Sequence, residues 1–134
     1  MSFFSLFKSK QQTADPIQRA FEDLEYMRKH YSVFPKATYE HAIRMLNDGE
    51  INQKIEEAKS EGAIIEPITY FSFMFCHSIP ELYIRTGNEQ YIEWFTHCMN
   101  NLIKYKYEVN GKQYFSEHDL YEEINKMRAM NAIQ

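Results

Sequence analysis

The sequence predicts an all-α fold in the main: a compact bundle of about five to six helices, with one small β-hairpin at about 105–115 before the last helix. Three observations carry this expectation. Apolar residues recur at three- and four-residue spacing over most of the chain, which is the spacing of one helix face. Starting residues (Asp15-Pro16, Glu66-Pro67, Asn88) and stopping residues (Gly49, Gly62, Gly87) punctuate those stretches. One Asn-Gly pair, Asn110-Gly111, stands between two short Tyr- and Lys-containing runs, a strong hairpin signal.

Asp15 is a good N-cap, Pro16 suits the first helical position, and Gln18 completes a capping-box pattern. Ile17, Ala20, Phe21, Leu24, Met27 and Tyr31 then form one face. Arg28, Lys29 and His30 lie where cations suit the helix dipole, and Pro35 closes the segment. A second helix is expected from about Thr38 to Leu46, with Tyr39, Ala42, Ile43 and Leu46 inward and Gly49 as its stop. A third, from about Ile51 to Ser60, is polar, with only Ile51, Ile55 and Ala58 inward. Glu50 and Lys54 stand four apart in the favourable order.

Ile68 to Ile79 is the most apolar run. Phe71, Phe75 and Ser78 share one helical face, and Tyr70, Phe73, Met74 and His77 another. A helix apolar nearly all round is a central one. A buried strand competes with that reading, but Pro67 as a first-turn proline and Pro80 as a break favour helix. Pro80 to Thr86 reads as a separate short helix closed by Gly87. Asn88 caps a long helix through about Lys104, with Ile92, Phe95, Met99, Leu102 and Ile103 on its inner stripe. Ser116 and Asp119 resemble a capping box that opens the last helix, which carries Leu120, Tyr121, Ile124, Met127 and Arg128. The chain divides into a loose N-terminal arm, 1–14, and a single helical domain, 15–134.

With 134 residues, 44% apolar and 25% charged, the chain is long and apolar enough to bury a real core. A net charge of −4 argues against a general nucleic-acid binder, which needs a basic footprint. Two cysteines, Cys76 and Cys98, are too few for a disulfide framework and read as reduced core thiols, hence a cytoplasmic protein. Ten tyrosines are harder to hide than ten phenylalanines, so some are expected at the surface as contact residues. The first residues hold Phe3, Phe4 and Phe7, with Lys8 and Lys10 after them. They lack the order of a signal peptide, Ser2 stands where myristoylation needs glycine, and no run approaches a membrane span. The expected arrangement tucks these phenylalanines onto the body; a membrane contact through residues 1–10 is the alternative.

The search for chemistry is largely negative. The four glycines are isolated, so no phosphate-cradling loop is present. Cys76 and His77 are adjacent in sequence, and helix neighbours point about 100° apart, which does not make a nucleophile–base pair. Cys76-His77 and His97-Cys98 form a mirrored pair that would suit zinc if the two helices pack antiparallel, although short ligand spacing and a Glu-x-x-His motif are missing. Glu93, four residues from His97, is expected to bond it. Lys104, Lys106 and Lys112 interleave with Tyr105, Tyr107 and Tyr114, a pattern of single-strand binders but also of a guarded sheet edge.

Acidic residues are the remaining signal. Glu40 to Glu66 holds seven acids and three bases, and Gln113 to Asn125 four acids and no base. Together they account for more than the whole net charge. If the fold joins them, one face is strongly acidic and suits a basic partner. The functional expectation is therefore a non-enzymatic, small acidic binding protein of the immunity or inhibitor type, neutralising a basic protein such as a bacterial toxin. Its contact residues would be Glu50, Glu56, Glu57, Glu61, Asp119, Glu122 and Glu123. The alternatives are a metal- or small-ligand-binding bundle centred on Cys76, His77, His97 and Cys98, and a membrane-proximal adaptor using the Phe-rich arm. No cofactor is expected, and nothing in the sequence specifies an oligomeric state.

Overall fold

A computed structural model describes residues 15–134. In chain order its elements are α1 (Pro16–His30), α2 (Lys36–Asn47), α3 (Glu50–Ser60), β1 (Ala63–Ile65), α4 (Pro67–Thr86), α5 (Gln90–Lys104), β2 (Tyr107–Val109), β3 (Lys112–Gln113) and α6 (Glu117–Ala132). The fold is mostly α-helical, as the apolar spacing predicts, with one small antiparallel sheet of order β1-β2-β3. The expected arm, 1–14, lies outside the described residues.

The starts and stops act as the sequence indicates. Asp15 caps α1 by accepting from the Ile17 N–H at 3.2 Å, and Asn88 accepts from the Gln90 N–H at 3.0 Å ahead of α5. Gly49, Gly62 and Gly87 all take positive φ angles at helix boundaries. Ser116 and Asp119 exchange their capping-box hydrogen bonds at the start of α6. Two local expectations fail. Gln18 donates to Glu22 on its own helix instead of completing a box, and Lys54 pairs with Glu57 at 3.8 Å rather than with Glu50.

Residues 68–79 are helical, and Pro80 does not end the helix: α4 runs unbroken for 20 residues. Proline removes one intrahelical N–H, which favours a break. Here Ile79 is fully buried and Tyr83 nearly so, and burial of such side chains is worth about 1.5–3 kcal/mol each. That gain on both sides of the proline holds the helix together. Ser78 also donates its hydroxyl to the Phe75 carbonyl at 3.1 Å beside the disturbed turn.

The second difference is β1, for which the sequence carries no strand pattern. Ile64 pairs with Glu108 and Ile65 with Tyr107, so the hairpin gains a third strand. Three residues are too short to display a strand period. The strand exists because β2 offers it a partner, and the Asn110 N–H reaches the Gly62 carbonyl at 3.3 Å. The hairpin turn itself has Asn110 at φ 55° and Gly111 at φ 81°, the pair of positive angles that a two-residue hairpin needs.

One apolar cluster takes residues from all six described helices, including Leu24, Met27, Ile51, Ile79, Trp94, Leu102 and Met127. At its centre α4 and α5 pack antiparallel, joined by a short link, so that Ser72 meets Asn101. Trp94 sits between Phe34 and Phe75 at ring distances of 5.0 and 5.5 Å. The buried Thr69 hydroxyl reaches the Lys106 carbonyl at 2.8 Å, and Gln113 donates to the Leu102 carbonyl at 2.7 Å and the Tyr105 carbonyl at 3.0 Å. These bonds tie the sheet to the start of α4 and the end of α5, and Gln113 satisfies carbonyls that a helix end leaves open.

Candidate functional site

The sheet and the outer face of α4 form an aromatic surface. Phe73 contacts Tyr107 at 5.3 Å, Phe115 at 6.1 Å and His77 at 4.5 Å between ring centres. Tyr107 in turn contacts Tyr114 and Phe115. The residues come together because β2 runs beside the exposed face of α4 while the chain returns through β3 to α6. Burial pushes the Tyr107 phenol above its ordinary range, with nearby Tyr114 adding to the shift.

Two grooves share Phe73. The first, of about 310 Å³, lies towards α3 and is lined by Lys54, Glu57, Glu61, Ile65, Tyr70, Met74 and Tyr107 as well as Phe73. The second, of about 350 Å³, lies towards α6 and is lined by Cys76, His77, Met99, Tyr114, Phe115, Asp119 and Glu123, among others. Each is therefore lined by aromatic and other apolar side chains together with two carboxylates, the first also by Lys54. Met74, 49% exposed, and Tyr114, 60% exposed, leave part of this apolar surface open to solvent.

Of the seven acidic residues singled out by sequence, Glu57, Glu61, Asp119 and Glu123 line these grooves. Glu50, Glu56 and Glu122 are exposed and line neither. The two acidic stretches flank one aromatic ridge rather than merging into one patch. Their roles also differ: Asp119 is held by its capping box with Ser116, Glu57 and Glu123 face Lys54 and Lys126 on their own helices, and Glu122 faces His118 at 3.4 Å. The aromatic half of the site was only partly legible. The second face of α4 (Tyr70, Phe73, Met74, His77) is visible in the spacing, but its meeting with Tyr107 and Phe115 is not.

The four residues of the metal reading do not converge. Cys76 and Cys98 meet between α4 and α5, where burial first and then the neighbouring Cys76 push the Cys98 thiol well above its ordinary range. Cys98 also lies 3.9 Å from the Met27 sulfur. His77 turns outward, its Nδ1 3.3 Å from the Phe73 carbonyl. His97 turns towards α1, its Nε2 2.7 Å from Asp23. The 100° step between helix neighbours separates each histidine from its cysteine. Among the described residues no group of three or more His, Cys, Asp and Glu side chains is placed to hold a metal ion.

His97 thus bonds Asp23, not Glu93, which the sequence had offered as its partner. A longer polar seam follows. Asn101 donates to the other Asp23 oxygen and to the buried Ser72 hydroxyl, both at 3.0 Å. Tyr26 stacks on His97 at 5.1 Å and on His30 at 3.9 Å. Arg19 bonds Glu66 and lies over the Tyr105 ring at 4.9 Å. This seam joins α1 to α4 and α5. Its only sequence signal is Asp23 standing beside the core residue Leu24.

Fold and surface together define a mostly α-helical protein with an acid-rimmed aromatic face. No described helix is long and apolar enough to cross a membrane. No protein-family model matches the chain, and neither a curated protein nor a solved structure matches it.

Proposed function

We propose that the protein is a non-enzymatic binding module that covers a basic protein partner, in the manner of a small immunity or inhibitor protein that neutralises a toxin. The observation that supports this reading is the pair of grooves around Phe73, each lined by aromatic rings and two carboxylates. The few residues that carry most of the energy at protein interfaces are enriched in aromatic side chains, and surrounding charges set approach and orientation. Lysine or arginine side chains of a partner would lay their aliphatic stems on the rings and their charges against Glu57, Glu61, Asp119 and Glu123.

The test needs a basic protein partner, sought first among the products of adjoining reading frames and co-expressed with this chain. The expected result is a complex whose Kd rises at least about tenfold in E57K/E61K and in E122K/E123K, the latter pair leaving the Ser116–Asp119 cap intact. Affinity unchanged in both reversed variants, or the absence of any basic protein that forms a complex with the chain, overturns the proposal.

A further inference from the structure

We infer that the second groove seats one arginine side chain of the basic partner. The inference rests on the reading of the grooves as a partner surface, and it names the group that enters one of them. The first observation is how the fold treats its own arginines. Arg19 lies over the Tyr105 ring at 4.9 Å and bonds Glu66. Arg28 lies over the Tyr39 ring at 4.8 Å, and the Tyr39 hydroxyl donates to Glu25 at 2.6 Å. Each guanidinium thus has an aromatic face and a carboxylate close by.

The second groove repeats that set of groups without a cation of the chain. Tyr114 and Phe115 meet edge to face at 4.8 Å, and Phe73 stands 6.1 Å from Phe115 with its plane inclined by 51°. Asp119 and Glu123, one helical turn apart on α6, line the same groove. Asp119 accepts from the Ser116 N–H and hydroxyl through Oδ2, so its Oδ1 has no hydrogen-bond partner among the described residues. Glu123 meets Lys126 at 3.4 Å, an exposed contact that an incoming charge can exchange. No described lysine or arginine lines this groove, whereas Lys54 lines the first and meets Glu57 at 3.8 Å.

Size and shape favour arginine over lysine. A volume of about 350 Å³ is at the small end of ligand pockets, which suits one side chain rather than a folded element. Carboxylates four residues apart on a helix spring from Cβ atoms about 5–6 Å apart. A guanidinium is flat, stacks on rings and carries five N–H donors, so one group can lie on an aromatic face and serve both carboxylates. An ammonium is a compact, strongly hydrated charge with no face to stack.

The test titrates N-acetyl-L-arginine methylamide into the full chain and follows Met74, Met99 and Tyr114 side-chain signals by NMR. Met99 and Tyr114 line the second groove and Met74 the first. Saturable shifts are expected at Met99 and Tyr114 but not at Met74, with a Kd on the order of a millimolar. The citrulline derivative, uncharged but of the same shape, should bind at least about tenfold more weakly. The lysine derivative should bind at least about threefold more weakly. E123Q and Tyr114→Ala, both at side chains open to solvent, should each weaken arginine binding at least about threefold. Shifts at Met74 as large as at Met99, citrulline or lysine binding as well as arginine, or affinity unchanged in both variants overturns the inference. So does the lack of any saturable shift up to about 50 mM. No partner enters the readout, so its failure is distinguishable from failure of the partner-binding proposal.

Discussion

At the scale of single residues, the most consequential group is Asn101. It is 7% exposed, and its one amide nitrogen serves both Asp23 and the fully buried Ser72. Removing a partner from a buried polar group costs the desolvation of whatever is left behind, about 1–3 kcal/mol. Asn101→Ala should therefore lower the free energy of unfolding by about that much in urea titration. A value within about 0.5 kcal/mol of the native chain would mean that Asp23 and Ser72 find water instead. Tyr31 is a second such group. Burial, reinforced by Tyr26, Cys98, Glu93 and Asp23, pushes its phenol up to about 12 from 10.0. The folded state thus favours the neutral phenol. That contribution is fully present below pH 10.0 and is lost as pH rises through about 12. Followed by tyrosinate absorbance, the native chain should show a late-titrating phenol that Tyr31→Phe removes, and the variant should lose less thermal stability across the same interval.

At the scale of elements, α4 shows how tertiary burial overrides a local signal. Proline inside a helix costs about 3 kcal/mol relative to alanine, yet Pro80 lies within a continuous helix because Ile79 and Tyr83 are buried beside it. Pro80→Ala restores an N–H facing the Cys76 carbonyl and should raise unfolding stability by about 1–3 kcal/mol. A fall in the denaturation midpoint would show that the proline ring itself fills a place alanine leaves empty. The sheet shows the opposite dependence, on a single backbone geometry. Gly62 takes φ 90° between α3 and β1, and its carbonyl accepts from the Asn110 N–H. A side chain there is strained whatever the space around it, so Gly62→Ala should cost about 1 kcal/mol and loosen β1 first. Faster amide exchange at Ile64 and Ile65 than in α5 would register that order of loss.

At the scale of the whole molecule, the distribution of charge matters more than its sum. The two acidic stretches, each of net −4, do not merge into one patch but border the same aromatic face. They stand on α3 and α6, either side of a ridge made by Phe73, Tyr107 and Phe115. On the proposed reading, such a surface would steer a basic partner before contact and hold it by the rings afterwards. Association with the partner should therefore slow by about tenfold or more between 50 mM and 500 mM salt, while dissociation changes little. Stopped-flow mixing measures both. Substituting Phe73 with alanine should act on dissociation instead, and a salt-independent association rate would remove the steering role of the carboxylates.

The sequence by itself determined that most of the chain is helical, the Asp15 and Ser116 caps and the Asn110-Gly111 turn, because these follow from spacing and backbone preference within a few residues. It also marked seven acidic candidates, of which Glu57, Glu61, Asp119 and Glu123 line the grooves and Glu50, Glu56 and Glu122 do not. Only the tertiary structure decided that Pro80 would be absorbed into α4, that Ala63–Ile65 would become a strand, and that His97 would bond Asp23 rather than Glu93 or a metal-ligand partner. Each of these depends on a contact between residues far apart in the chain, whose energy outweighs the local preference. The aromatic floor of the grooves belongs to the same class: Phe73 and Tyr107 are 34 positions apart, and no periodicity brings them together.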